Sequence, residues 1–149
     1  MQRSSAPEKS KSMSSSIDTC FEALDKVQQV ERLDHPCRMV VIVYSAWGLI
    51  ENGGFQYFFE SNFPGDPPYD VFTQAFRSVG LTDIALHFSK LVSSFPFEEP
   101  HKFRRKRQEF IDLKPSSFIA LMTELEDLVY AHENIEKTLN SFLKMPDAS

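Results

Sequence analysis

Residues 37–51 read CRMVVIVYSAWGLIE and run straight into Asn52-Gly53-Gly54; the reading of this stretch decides the fold class. Its β-branched core, MVVIVY, would suit a strand. The apolar tract, however, continues through Trp47 to Ile50 without a turn, which is long for a strand. Pro36 also stands where the first residue of a helix tolerates a missing N–H. The stretch is therefore read as a helix. A helix that is apolar on nearly all sides is expected at the centre of a bundle. Asn52, Gly53 and Gly54 end it, since Asn and Gly tolerate the left-handed C-cap conformation. The aromatic run Phe55, Tyr57, Phe58 and Phe59 predicts a short further helix packed against the first.

Toward the N-terminus, residues 1–15 are Ser-rich and without periodicity, and a disordered tail is expected there. Ser16 is the expected N-cap of a first helix whose apolar face is Phe21, Leu24 and Val27 or Gln28. That helix should stop before Pro36, which pushes His35 out of the helical region. Beyond the corner, Asp66 is placed to cap a helix opening at Pro67 or Pro68 and carrying Tyr69, Phe72, Ala75, Phe76 and Val79. Thr82 or Asp83 opens the next, with Ile84, Leu86, Phe88, Leu91 and Val92 as its buried positions. After a break at 96–100, a basic helix over 101–113 is expected to turn Phe103, Phe110 and Leu113 inward. Ser116 or Ser117 caps a last long segment with Phe118, Leu121, Leu125, Leu128 and Val129. A slight kink at Asn134 precedes Ile135, Leu139, Phe142 and Leu143. No β alternation is sustained. The expected architecture is all-α: a single-domain multi-helix bundle over 16–145 with a central apolar helix, and a short tail at 146–149.

Composition bounds the function. The chain has 149 residues, 16 Lys and Arg against 21 Asp and Glu, and a formal net charge of -5. That is one ordinary domain with no global attraction to nucleic acid. Residues 51–100 hold seven Asp or Glu against two Lys or Arg, and 115–149 hold six against two, so the negative charge is expected in the middle and the C-terminal helix. No apolar run approaches the roughly 18 residues of a membrane span, and no signal peptide is evident. Cys20 and Cys37 are too few for a secreted disulfide scaffold. They fit a reducing compartment as free buried thiols, with a single bridge as the open alternative, and a cytoplasmic protein is expected.

Catalytic patterns are poor. The four histidines lie far apart and no His-Glu-x-x-His occurs, so neither metal nor cofactor is expected. A dyad of Cys37 and His35 is the one nucleophilic arrangement to consider. The corner at 52–59 lacks the Lys-Ser/Thr of a phosphate loop; its structural reading is a tight helix-to-helix turn. In that reading Asn52 and Gln56 hydrogen-bond exposed backbone groups. Its functional reading is a ligand or partner surface built from Glu51, Asn52, Gln56 and Tyr57. The basic run 102–107 is read as a solvated face pairing with acidic neighbours, with nucleic-acid contact through Arg104, Arg105 and Arg107 as the alternative. Glu124, Glu126, Asp127, Glu133 and Glu136 could form an acidic ridge facing a basic protein.

The residues Glu51-Asn52-Gly53-Gly54-Phe55-Gln56-Tyr57-Phe58-Phe59, with Ser61-Asn62 after them, resemble the signature of the bacterial DNA-mimic protein family. Weaker likenesses lie in Ala75-Phe76, Val79-Gly80, Phe95-Pro96 and the helix around residues 124–128. Together they cover roughly residues 17–145. The resemblance implies an all-helical, dimeric, non-enzymatic protein whose acidic surface occupies a DNA-binding regulator. The leading expectation is thus a protein-binding module that contacts a basic partner through an acidic helical surface. The alternatives are a small-molecule or catalytic pocket near the corner, lined by Trp47, Tyr57, Phe58 and histidines, and nucleic-acid binding by the 102–107 helix.

Overall fold

A computed structural model describes the backbone of residues 8–145 and the side chains of 17–145. Seven α-helices follow one another, and no strand occurs among the described residues. They are α1 (Glu8–Val27), α2 (His35–Glu60), α3 (Tyr69–Ser78), α4 (Thr82–Ser93), α5 (Arg104–Asp112), α6 (Ser116–Ala131) and α7 (Ile135–Lys144). The all-α reading holds. As expected from its apolar girth, α2 is central and packs against α1, α3, α5, α6 and α7. Val40, Val43, Ala46 and Ile50 are fully buried along it. The helix α1 begins at Glu8, so Ser16 lies inside it rather than at its cap; residues 1–7 and 146–149 of the expected tails lie outside the described residues.

The two glycines do what their residue type allows. Gly53 (φ -161°, ψ 21°) and Gly54 (φ 70°, ψ -170°) leave the helical region, and the aromatic segment resumes at once as the second half of α2. Only glycine adopts the Gly54 backbone without strain. Phe55, Phe58 and Phe59 then bury completely. They join Tyr69, Phe72 and Phe76 of α3, Phe88 of α4, Phe95, and Phe118 of α6 in one aromatic core. Phe58 meets Phe72 edge-on at 5.3 Å, and Phe59 stacks on Phe88 at 6.3 Å. Such pairs add about 0.5–1.5 kcal/mol each beyond their buried area. Phe103 alone of the fourteen phenylalanines is exposed.

Several local expectations are corrected. Leu86 is exposed on α4 and Ala85 takes the inward place. On α5 the inward residues are Arg107 and Ile111, while Phe103 and Leu113 are exposed. Asp66 makes no capping bond; Pro68 precedes α3. The kink foreseen at Asn134 is a complete break, where the Asn134 side chain accepts the Lys137 N–H at 3.0 Å to start α7. Cys20 and Cys37 are not free thiols. They form a disulfide joining α1 to the first turn of α2, which removes the Cys37–His35 dyad.

Candidate partner-binding face

At the corner, the backbone break is closed from within the fold. A break in a helix orphans carbonyls before it and N–H groups after it. Helix α6 supplies both missing partners from residues four apart. The Glu126 carboxylate accepts the Phe55 N–H at 2.8 Å, and the Tyr130 hydroxyl donates to the Ile50 carbonyl at 3.1 Å. A carboxylate at the new N-terminus is also favourable to the helix dipole. Burial first, then the nearness of Glu126 and Glu51, pushes the Tyr130 hydroxyl above its ordinary value and keeps it a donor. A Cβ on Gly54 would come within 2.5 Å of the Glu126 carboxylate, so the glycine also makes room for this bond. Gln56 pairs with Glu60 on the surface at 3.1 Å, and Asn52 lines a groove between α1, α2 and α7. Phe55 and Phe58 are core and Tyr57 is exposed, so these aromatics do not converge on a cleft.

Two arginines of the basic run serve the fold. Arg107 is 1% exposed. Its guanidinium donates to the carbonyls of Phe59 (2.7 Å), Pro100 (2.8 Å), His101 (3.1 Å) and Ser61 (3.3 Å), and to Asn62 Oδ1 (3.3 Å). Arg104 donates to Glu60 O at 2.7 Å. The two arginines thus close the C-terminal end of α2, where carbonyls lack partners and the helix dipole attracts cations. The Tyr69 ring lies 5.9 Å from the guanidinium. Burial pushes its hydroxyl up to about 12 even against the pull of Arg107. Lys106 rests over the Phe103 ring at 4.6 Å, and Lys102 pairs with Glu99 at 3.0 Å. Of the three arginines named for nucleic-acid contact, Arg104 and Arg107 are engaged with backbone and Arg105 is exposed.

The open chemistry lies on the opposite side of α2. A groove of about 750 Å³ runs where α1, α2 and α7 meet, over Ile17, Phe21 and Leu49. Its rim carries Asp18, Glu22 and Asp25 of α1 and Glu136 of α7. A second groove of about 310 Å³ adjoins it and adds Glu51 and Glu133, with the buried Trp47 edge-on to His132 at 5.6 Å. The grooves share Tyr44, Gly48 and Glu136, and Tyr44 donates to Glu136 at 3.1 Å between them. Among the described residues, neither is lined by a lysine or arginine. Burial, the bond to Glu136 and the nearness of Asp18 and Glu51 hold the Tyr44 hydroxyl above its ordinary value. Glu133 and Glu136 of the expected ridge therefore take part, whereas Glu124 and Asp127 are exposed on α6 and line neither groove. Glu126 is tied into the corner. Sequence reading missed Asp18, Glu22 and Asp25, although their four-and-three spacing places them on one helical face. Among the described residues no group of three or more His, Cys, Asp or Glu is placed to hold a metal, and no helix is long and apolar enough to cross a membrane.

Comparison with known families matches the model described as DMP19-like protein over residues 31–145. The chain belongs to the DMP19-like family. No curated protein and no solved structure matches it. The matched span holds the whole aromatic core and the corner, and it includes α2 through α7. The α1 wall of the groove, with Asp18, Glu22 and Asp25, lies before it. Membership gives coarse support to a DNA-mimic protein with a non-enzymatic, protein-binding role.

Proposed function

We propose that this chain is a DNA-mimic-like regulator that contacts a basic, DNA-binding protein through the face shared by α1, α2 and α7. The observation that carries it is the set of six carboxylates, Asp18, Glu22, Asp25, Glu51, Glu133 and Glu136, around two joined grooves that no described lysine or arginine lines. Charge density sharpens the reading. With a rise of about 1.5 Å per residue, the α1 row places one carboxylate per about 5 Å. A DNA strand places a phosphate about every 3.4 Å. One helix therefore falls short of a strand, and the second wall from α2 and α7 is needed to approach a duplex. The 52–59 corner serves as the scaffold that aims α2, and its family signature is part of this proposal. So are the bacterial setting and the homodimer, which sedimentation equilibrium would read. A cytoplasmic setting belongs to the same reading, but with both cysteines bonded it no longer rests on free thiols.

The test uses competition with DNA. Heparin-retained proteins are passed over the immobilised chain and eluted with duplex DNA at constant salt. Elution of a DNA-binding protein, and its displacement from labelled duplex by the free chain, is expected. Bound proteins that duplex does not release would sink the mimic reading. The complex should weaken as salt rises, because exposed charge pairs are screened beyond about 8–10 Å at physiological ionic strength.

A further inference from the structure

We infer that the α1/α2/α7 groove seats an amphipathic basic helix of the partner, with Gly48 as the point of closest approach; this rests on the acidic-face reading above and names the element it receives. Three observations converge. The floor is apolar, with Ile17 buried and Phe21 and Leu49 half-buried, so a purely electrostatic contact would leave it uncovered. The rim is acidic on both sides, with Asp18, Glu22 and Asp25 along one wall and Glu136 on the other. None of these four makes an ion pair with a described residue. Between them, in the middle of α2, stands an exposed Gly48 whose added Cβ would meet nothing within 4 Å.

A glycine inside a helix is unfavourable unless backbone must be approached closely. Gly54 has its reason in the corner, whereas no described residue comes within 4 Å of a Cβ added at Gly48. Its bare backbone also joins the two grooves, since it lines both. An apolar stripe flanked by cations is the chemistry that complements an apolar floor with acidic walls, and a helix laid in a groove presents the two together. The groove volume falls within the range of about 300–1,000 Å³ over which binding sites are built.

The experiment measures anisotropy of two labelled lysine–leucine peptides of equal charge against the full chain. One has its leucines at helical period; the other has the same composition scrambled. The periodic peptide is expected to bind about tenfold or more tightly than the scrambled one. Gly48→Trp, which fills the groove, should reduce it to the scrambled level at unchanged melting temperature; Gly48→Gln serves if the larger side chain disturbs folding. Gly48→Ala, whose single methyl intrudes on that approach, should weaken the periodic peptide as well, but less than the two larger side chains do. The triple variant Asp18→Asn, Glu22→Gln, Asp25→Asn should weaken both peptides. Equal binding of the two peptides, or parent-like binding by Gly48→Trp and Gly48→Gln, overturns the groove. Should the triple variant still weaken binding in that case, the acidic-face reading survives without the seat; if it too binds as the parent does, both fall.

Discussion

At its C-terminal end α2 is closed by cations: Arg104 and Arg107 donate to the carbonyls of Glu60, Phe59 and Ser61 inside a wall of aromatic rings. Along its first half the same helix faces carboxylates from α1 and α7 across an open groove, with a bare glycine backbone at the bottom. The contrast concerns what each charge is bonded to. Positive charge at that end is used within the fold, on backbone acceptors at the close of α2. Among the described residues, the four carboxylates of the groove make no ion pair. A net charge of -5 understates this contrast, since Arg104 and Arg107, which lower the total, line neither groove.

The largest effect is expected at the closed end. Arg107→Met leaves the Phe59, Pro100 and His101 carbonyls without their donor. A buried acceptor left without its donor costs about 1–3 kcal/mol, and three lose theirs at once. Arg107→Lys should recover only part of this, because a point ammonium cannot reproduce the planar fork. Urea denaturation would read both. An Arg107→Met protein as stable as the parent would break the comparison, by showing that well-packed apolar volume serves that end equally well.

The groove end depends on a covalent tie. The disulfide closes a loop with a sequence separation of 17 and holds the α1 wall against α2. Removing it by Cys20→Ala with Cys37→Ala should cost about 3 kcal/mol, the magnitude for a loop of about 15 residues. Peptide binding in the groove should weaken with it, while the Phe cluster keeps its near-ultraviolet circular dichroism at temperatures below the lowered melting point. Equal loss of order at both ends would show that the two regions unfold as one.

A third test singles out the aromatic end by pH. The buried Tyr69 hydroxyl is pushed up to about 12, above the ordinary value of 10.0, chiefly by burial. The folded state thus disfavours the phenolate. Stability is fully present below pH 10 and falls as pH rises to about 12, by on the order of 2–3 kcal/mol. Tyr69→Phe keeps the ring and should flatten that alkaline limb. An unchanged limb would place the titrating group elsewhere.

Much of this scaffold was legible. The apolar girth of residues 37–50 forces α2 to the centre, and Gly53-Gly54 marks the corner because only glycine accepts the Gly54 backbone. The three-four spacing of Tyr69, Phe72, Phe76 and Val79 places α3 correctly, since all four are buried. What could not be read depended on partners distant in sequence. Glu126 bonds a backbone group 71 residues away, and nothing local separates it from Glu124 or Asp127. Arg107 sits in a run of cations with nothing local to mark it as buried, arginine being mostly exposed, and α5 turns Arg107 and Ile111 inward where Phe103 and Leu113 are expected from spacing. The α1 carboxylates were passed over because the first fifty residues are neutral overall, although balance along the chain says nothing about which face a charge occupies.

The smallest effect compares the two glycines of α2 that have opposite surroundings. Gly54 is held by its positive φ of 70° and by the Glu126 carboxylate, so a methyl group there meets both strain and a clash. Gly48 is exposed and its added Cβ meets nothing. Gly48→Ala should therefore raise stability by about 0.5–1 kcal/mol, the helix-interior difference between the two residues. Differential scanning calorimetry would read this as a higher melting temperature. A gain at Gly48 with binding weakened would show that the protein forgoes available stability where its acidic groove has to stay open, and not at its arginine-closed end. A loss would mean that the backbone at Gly48 needs glycine for its own sake, and the groove would then owe its openness to the fold rather than to what it receives.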